Sequence, residues 1–160
     1  PSSAASDVYK RQGDFVELGD QSGTVLEVGV TYTKLQTPDN KIVSIPNSTA
    51  ASAQITNFSA AGTRRVDLTV SASYDSPVEL VKAALLRAAN TPTSLFTPEP
   101  FVGVKEYGDS AITYVLQVWS GASDYWATYF AVNEAIHQEF ARDGIEMTYP
   151  HLNVHLDRNP

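Results

Sequence analysis

The stretch 13-GDFVELGDQSGTVLEVGVTYTKLQTPDNKIVSIPN-47 decides how the rest of the chain is read. Phe15, Val16 and Leu18 form a short apolar run ahead of a turn, Gly19-Asp20-Gln21-Ser22-Gly23. Thr24 to Val30 then alternates in part, and Tyr32 to Thr37 reads as a third strand. Pro38-Asp39-Asn40 is a tight turn, because proline fixes φ and the Asp and Asn side chains bond the reversing backbone. Lys41 to Ile45 follows and stops at Pro46-Asn47, where proline removes a ladder donor. Short strands at close, regular spacing predict a small all-β barrel over residues 13–61.

Downstream the grammar changes. Val66, Leu68, Val70, Ala72 and Tyr74 alternate with polar residues, as in a half-buried strand. Ser76-Pro77-Val78-Glu79 opens a helix: Ser76 as cap, Pro77 in the first turn, Glu79 closing a capping box. Its stripe is Leu80, Val81, Ala84, Leu85 and Ala88. Thr91 to Pro100 reads as a loop. Phe101 to Tyr107 and Ala111 to Trp119 read as strands joined by Gly108-Asp109-Ser110, with Ile112, Tyr114, Leu116 and Val118 on one face. Ser123 or Asp124 caps a long helix whose shared face is Tyr125, Tyr129, Val132, Ile136 and Phe140, and Gly144 ends it. Ile145 to Thr148 is a last strand. The order β-α-β-β-α-β over residues 62–150 is the split-βαβ or ferredoxin-like arrangement, so the expected class is α+β. Residues 151–160 add a short strand without a home in that sheet, with Leu152, Val154 and Leu156 opposite His151, Asn153, His155 and Asp157.

Upstream, residues 1–12 show no period and read as a leader outside the fold. Asp7 to Gln12 also looks like the in-frame translation of a transposon end used in sequencing libraries; the alternative is a natural disordered arm.

The 160 residues carry 11 Lys and Arg against 18 Asp and Glu, a net charge of −7. That balance argues against nucleic acid as a partner, which needs a basic face, and against a basic membrane-surface patch. With no cysteine, disulfides and thiolate chemistry are excluded. No run approaches the roughly 18 apolar residues a spanning helix needs, so the chain as written is expected to be soluble.

No set of residues assembles a catalytic centre, and no cofactor is implied. His151 and His155 sit four apart in an alternating strand, roughly 13 Å from each other and too far for one metal. His137 reads as a helix-surface residue. Gly103 and Gly108 lack the Lys-Ser/Thr of a phosphate loop. Asp14, Glu17 and Asp20 read as a solvated carboxylate face, and Ser44, Ser48 and Ser52 lack the glycines of a nucleophile elbow. Tyr125, Trp126, Tyr129 and Phe130 read as helix-to-sheet core, with rings beyond one face left for a subunit contact.

One set of residues is more specific. Gly13, Asp14, Val16, Gly23, Thr24, Val25, Thr37, Asp39, Ile45, Pro46, Asn47, Asn57 and Phe58 match, in order, a pattern of the small-conductance mechanosensitive channel family: Gly-Asp-aromatic-Val, Gly-Thr-Val, Asp-Gly/Asn-Lys and Ile-Pro-Asn. Tyr74-Asp75-Ser76, Val118-Trp119-Ser120, Gly144-Ile145 and Tyr149-Pro150 also resemble that family, so the likeness covers residues 13–158. It implies that the β domain is an Sm-like barrel. It implies that pore helices precede Gly13 in the whole protein and that seven subunits enclose a cytoplasmic vestibule below the inner membrane. It also implies that Leu152, Val154 and Leu156 pair with copies of themselves in a parallel barrel, and that membrane tension releases ions and small osmolytes. A free-standing soluble protein that binds a small ligand or RNA is the alternative from another class.

Overall fold

The computed structural model describes residues 10–150 together with Leu152, Val154 and Leu156. The chain divides between Arg64 and Arg65 into two units, each with its own apolar core.

The first unit contains β1 (Phe15–Leu18), β2 (Gln21–Val28), β3 (Tyr32–Gln36), β4 (Ile42–Pro46), the short helix α1 (Asn47–Ser52) and β5 (Ile55–Asn57). Its strands pair antiparallel in the order β4-β3-β2-β1-β5. Val16, Leu18, Val25, Leu35, Ile45 and Ala50 form the core. The partial alternation after Thr24 has a cause in the pairing. Val25 lies opposite Leu35 but Glu27 lies opposite Lys34, so Leu26 is an extra residue on β2. Such a bulge shifts the in–out phase of the strand by one.

Three expectations for this unit are corrected. The turn after β1 is shorter than Gly19 to Gly23, because β2 already begins at Gln21. Pro46, opposite Tyr32, is the last residue of β4, so the strand ends at the proline as expected. Residues 47–52 form α1 where no helix was expected; six small and polar residues are too few to show a period, yet Ala50 is buried beneath them. Lys10 and Arg11 do not stand outside the fold. Lys10 is buried and its Nζ donates to Thr33 Oγ1 at 3.2 Å, while the Arg11 amide donates to Asp14 Oδ2 at 3.0 Å. A lysine can be buried this way because its stem packs on apolar surface while the ammonium keeps an acceptor. Residues 1–9 lie outside the described residues.

The second unit contains most of β6 (Thr63–Ala72), then α2 (Val78–Ala88), β7 (Ser94–Leu95), β8 (Phe101–Tyr107), β9 (Ile112–Gly121), a 3₁₀ turn (Ala122–Asp124) and α3 (Tyr125–Asp143). β9 lies beside β6, and β7 and β8 pair antiparallel with it at successive positions. Ile112, Tyr114, Leu116 and Val118 of β9 are buried, as their alternation predicts. They share a core with Val81, Ala84, Leu85 and Ala88 of α2 and Val132, Ile136 and Phe140 of α3. Leu80, expected in the α2 stripe, is exposed. The two helices are also tied by Arg87, which pairs with Glu139 at 2.8 Å and with Asp143. Hydrogen bonds to Glu139 first, then to Asp143, hold the Arg87 pKa above its ordinary value.

Gly144 ends α3 as predicted. It adopts φ 68°, the Gly144 amide donates to Ala141 O, and the Ile145 amide donates to Phe140 O at 2.9 Å. Ile145 and Phe140 are both core residues, which completes a Schellman stop with its apolar contact. The start of α2 differs from expectation: Pro77 is the cap residue and no side chain caps the helix, so Ser76 and Glu79 form no capping box. The same holds at Asp124 before α3. Residues 145–148 are not a strand, although the Ser73 amide donates to Glu146 O at 2.9 Å. The loop 91–100 contains β7, two residues long and below the reach of pattern reading. Leu152, Val154 and Leu156 are exposed and not in a strand; His151, Asn153, His155 and Asp157 lie outside the described residues. The described residues form a mixed α/β fold of antiparallel strand pairs and few helices.

Candidate functional site

The motif residues of the first unit are brought together as polar fastenings. β1 is lengthened by backbone bonds from the Gly13 amide to Val25 O and from the Val25 amide to Asp14 O, both 2.8 Å. Gly13 holds φ 91°, which favours glycine. Asp14 is therefore placed at the mouth of the β1–β5 pair, and its Oδ2 accepts from Asn57 Nδ2 at 2.8 Å. Asn57 Oδ1 accepts from the amides of Ser59 and Ala60 at 2.9 Å each. Ser59 Oγ accepts from the Phe15 amide at 3.0 Å, and the Phe58 amide donates to Phe15 O at 3.0 Å. The Phe15 and Phe58 rings lie 5.8 Å apart, and the Arg64 guanidinium stands 4.5 Å from the Phe58 ring centre. Asp14 is thus a fastening and not a member of a solvated face. Glu17 and Asp20, grouped with it in sequence, are exposed.

Asn47 makes the second fastening. Its Nδ2 donates to Gly29 O at 2.7 Å, its Oδ1 accepts from Thr33 Oγ1 at 2.7 Å, and its amide donates to Thr31 O at 2.8 Å. One side chain thereby joins the β2–β3 turn, β3 and the start of α1. The bent β2–β3 turn presents the Gly29 carbonyl within reach of this side chain. Thr33 is fully buried, so its hydroxyl needs these partners.

Gly23 and Asp39 play different parts. Gly23 is a strand residue paired with Val16 and has no positive φ; a Cβ there would lie 2.6 Å from Gln36 O. The close approach of β3, and not a tight turn, requires glycine. Its neighbour Thr24 pairs with Phe15 and Gln36 across both ladders. Asp39 sits in the predicted turn, with Thr37 Oγ1 donating to Asp39 Oδ1 at 2.6 Å and Lys41 Nζ at 2.7 Å. Lys41 first, then Thr37, holds the Asp39 carboxyl below the ordinary carboxylate value. Asn40 carries φ 66°.

In the second unit, three separated pieces of sequence converge around a polar concavity. Tyr74 OH donates to Gly108 O, and Thr148 Oγ1 donates to Ser110 O at 3.1 Å. Ser73, Asp75, Asp109 and Glu146 complete the lining. Among the described residues no three His, Asp or Glu are grouped to hold a metal. Ser44, Ser48, Ser52 and His137 are exposed, and Gly103 lies in β8 beneath the Phe101 ring. Of the aromatic run, Tyr125 and Tyr129 pack against the core, while Trp126 and Phe130 are each 59 % exposed.

The chain is thus a strand-rich unit fastened by Asp14–Asn57 and Asn47–Thr33, followed by a two-helix sheet unit. Residues 7–60 match the family model for the mechanosensitive ion channel β-domain, and residues 66–147 match that for the mechanosensitive ion channel MscS C-terminal region. The chain belongs to the MscS-like mechanosensitive ion channel family, which is not an enzyme family. It is similar to a small-conductance mechanosensitive channel of Edwardsiella ictaluri, 33 % identical over 147 residues, covering 91 % of this chain and 51 % of the relative. It is similar also to the small-conductance mechanosensitive channel MscMJ of Methanocaldococcus jannaschii, 30 % identical over 154 residues, covering 92 % and 43 %. The chain thus spans about half the length of the curated relatives it matches. The crystal structure of Helicobacter pylori MscS in its closed state shares the fold, with TM-score 0.84 at 21 % identity over 93 % of this chain and 60 % of that one. The family match begins at residue 7, inside the segment read from sequence as a leader.

Proposed function

We propose that this chain is the cytoplasmic vestibule portion of a channel that releases ions and small osmolytes when membrane tension rises. The observation that carries the reading is that the two family models fall one on each structural unit. Among the described residues no helix is long and apolar enough to cross a membrane. In this reading the pore belongs to other parts of the whole protein, and this chain lies on the cytoplasmic side of the inner membrane. The first unit serves as an Sm-like barrel. The second serves as a ferredoxin-like domain, a reading supported by the Ser73–Glu146 backbone bond, which ties Glu146 to the residue that follows β6.

Seven copies enclose the vestibule, and Leu152, Val154 and Leu156 of each copy form the oligomerisation strand at its base. Their exposure in the single chain, at 84, 67 and 86 %, fits a segment whose partners are other copies. The aliphatic face points into that narrow barrel, because rings of His155 would repel when charged. The test joins the part of the Edwardsiella ictaluri channel preceding its matched region to Gly13, in a bacterial strain without tension-gated channels. Survival of osmotic downshock is expected; death at the rate of the empty strain overturns the reading. Oligomer mass at pH 5 and pH 8 checks the strand. Little change is expected, and dissociation at pH 5 that His155→Gln abolishes would contradict the inward aliphatic face.

A further inference from the structure

Resting on the vestibule reading, we infer that the assembly favours cations over anions, and that Asp75, Asp109 and Glu146 of the second unit set this preference. The net charge of −7 is not spread evenly along the chain. Residues 10–64 hold five Lys and Arg against five Asp and Glu, whereas residues 65–150 hold five against eleven. Ion pairing widens the difference. Arg65 is engaged with Asp67, and Arg87 and Arg142 are engaged with Glu139 and Asp143. Among the described residues of this unit, Lys82 and Lys105 are left to oppose exposed carboxylates such as Glu79 on α2, Glu106 on β8 and Glu134 on α3.

Three carboxylates meet in one place. Asp75, Asp109 and Glu146 are exposed around the polar concavity, whose lining includes no Lys or Arg. They do not form a ligand set for a metal, so they act on mobile ions through their field. Chain continuity fixes where that field falls. Thr148, also in the lining, is four residues before Leu152, so at most about 14 Å separates the concavity from the strand assigned to the vestibule base. Symmetry then repeats the three carboxylates around the axis, and acidic rings of this kind favour cations in a water-filled path. A fixed charge acts over about 8 Å at physiological salt, so the preference should weaken as salt rises.

The experiment uses the Edwardsiella ictaluri chimera in excised membrane, opened by suction between unequal potassium chloride solutions. The reversal potential should report potassium over chloride by about threefold in dilute salt, falling towards equality at about 1 M. Asp75→Asn with Asp109→Asn and Glu146→Gln should cut the ratio by about half while tension still opens the channel. Glu146→Gln alone changes one exposed side chain and should give about a third of that fall, which keeps the test in hand if the triple variant does not fold. Openings with a ratio of one or below, or a ratio that these substitutions leave unmoved, overturn this inference and leave the vestibule reading standing. A chimera that reaches the membrane and shows no openings under suction overturns both.

Discussion

Among the described residues, the unit ending at Arg64 is built on six buried apolar side chains, and the unit beginning at Arg65 on sixteen. The small core is supplemented by side chains that bond the backbone: Asn57 to Ser59 and Ala60, Ser59 to Phe15, Asn47 to Gly29. The large core has fewer such fastenings and relies on two helices laid on β9. A unit of this size gains less from burial, so directional bonds carry a greater share of its specificity. The comparison teaches why the family motif clusters in the first unit: its residues do work that generic apolar residues cannot.

The comparison can be broken by substitutions whose effects should fall in a definite order. Leu116→Ala removes a fully buried side chain from the larger core and should cost about 3–4 kcal/mol. Amide hydrogen exchange should then speed up in residues 65–143 and stay unchanged in β1 to β5; equal acceleration in both would show that the cores are not separate. Gly23→Val should follow at about 2–3 kcal/mol, because its side chain meets Gln36 O. Its denaturant midpoint should lie well below that of Asn40→Gly, which is expected within about 0.5 kcal/mol of the parent since Asn40 already holds φ 66°. Coincident midpoints would refute the packing account of Gly23.

Asn57→Ala sharpens the contrast. It removes the Asn57 donor to Asp14 and the acceptor of two loop amides and should cost about 1–2 kcal/mol, read as faster exchange at Ser59 and Ala60. Tyr114→Phe probes the other unit. The Tyr114 hydroxyl is buried with no hydrogen-bond partner among the described residues, and burial pushes its pKa up. Removing the hydroxyl should leave stability unchanged within about 0.5 kcal/mol or raise it. A loss above 1 kcal/mol by thermal unfolding would mean that the hydroxyl is bonded in solution.

Much of the second unit was legible because its apolar residues recur at periods of two and near 3.6. Ile112 to Val118, the α2 stripe apart from Leu80, and Gly144 all follow from those periods. Caps were not legible: Ser76 and Asp124 have the right chemistry, yet neither side chain bonds its helix. In the first unit the motif residues were visible as a pattern, but their partners were not. Asp14 and Asn57 are 43 positions apart, and nothing local announces their bond. The Leu26 bulge and α1 were missed for the same kind of reason, since each is fixed by tertiary contacts and not by a repeat.

The central claim is that this chain completes a tension-gated pore. Patch recording of the downshock chimera, with suction applied stepwise to excised membrane, tests it most directly. The account predicts discrete openings whose probability rises with suction and which vanish when Leu152, Val154 and Leu156 are all changed to Asp. A chimera that reaches the membrane at the level of the parent channel and stays silent up to patch rupture would contradict it.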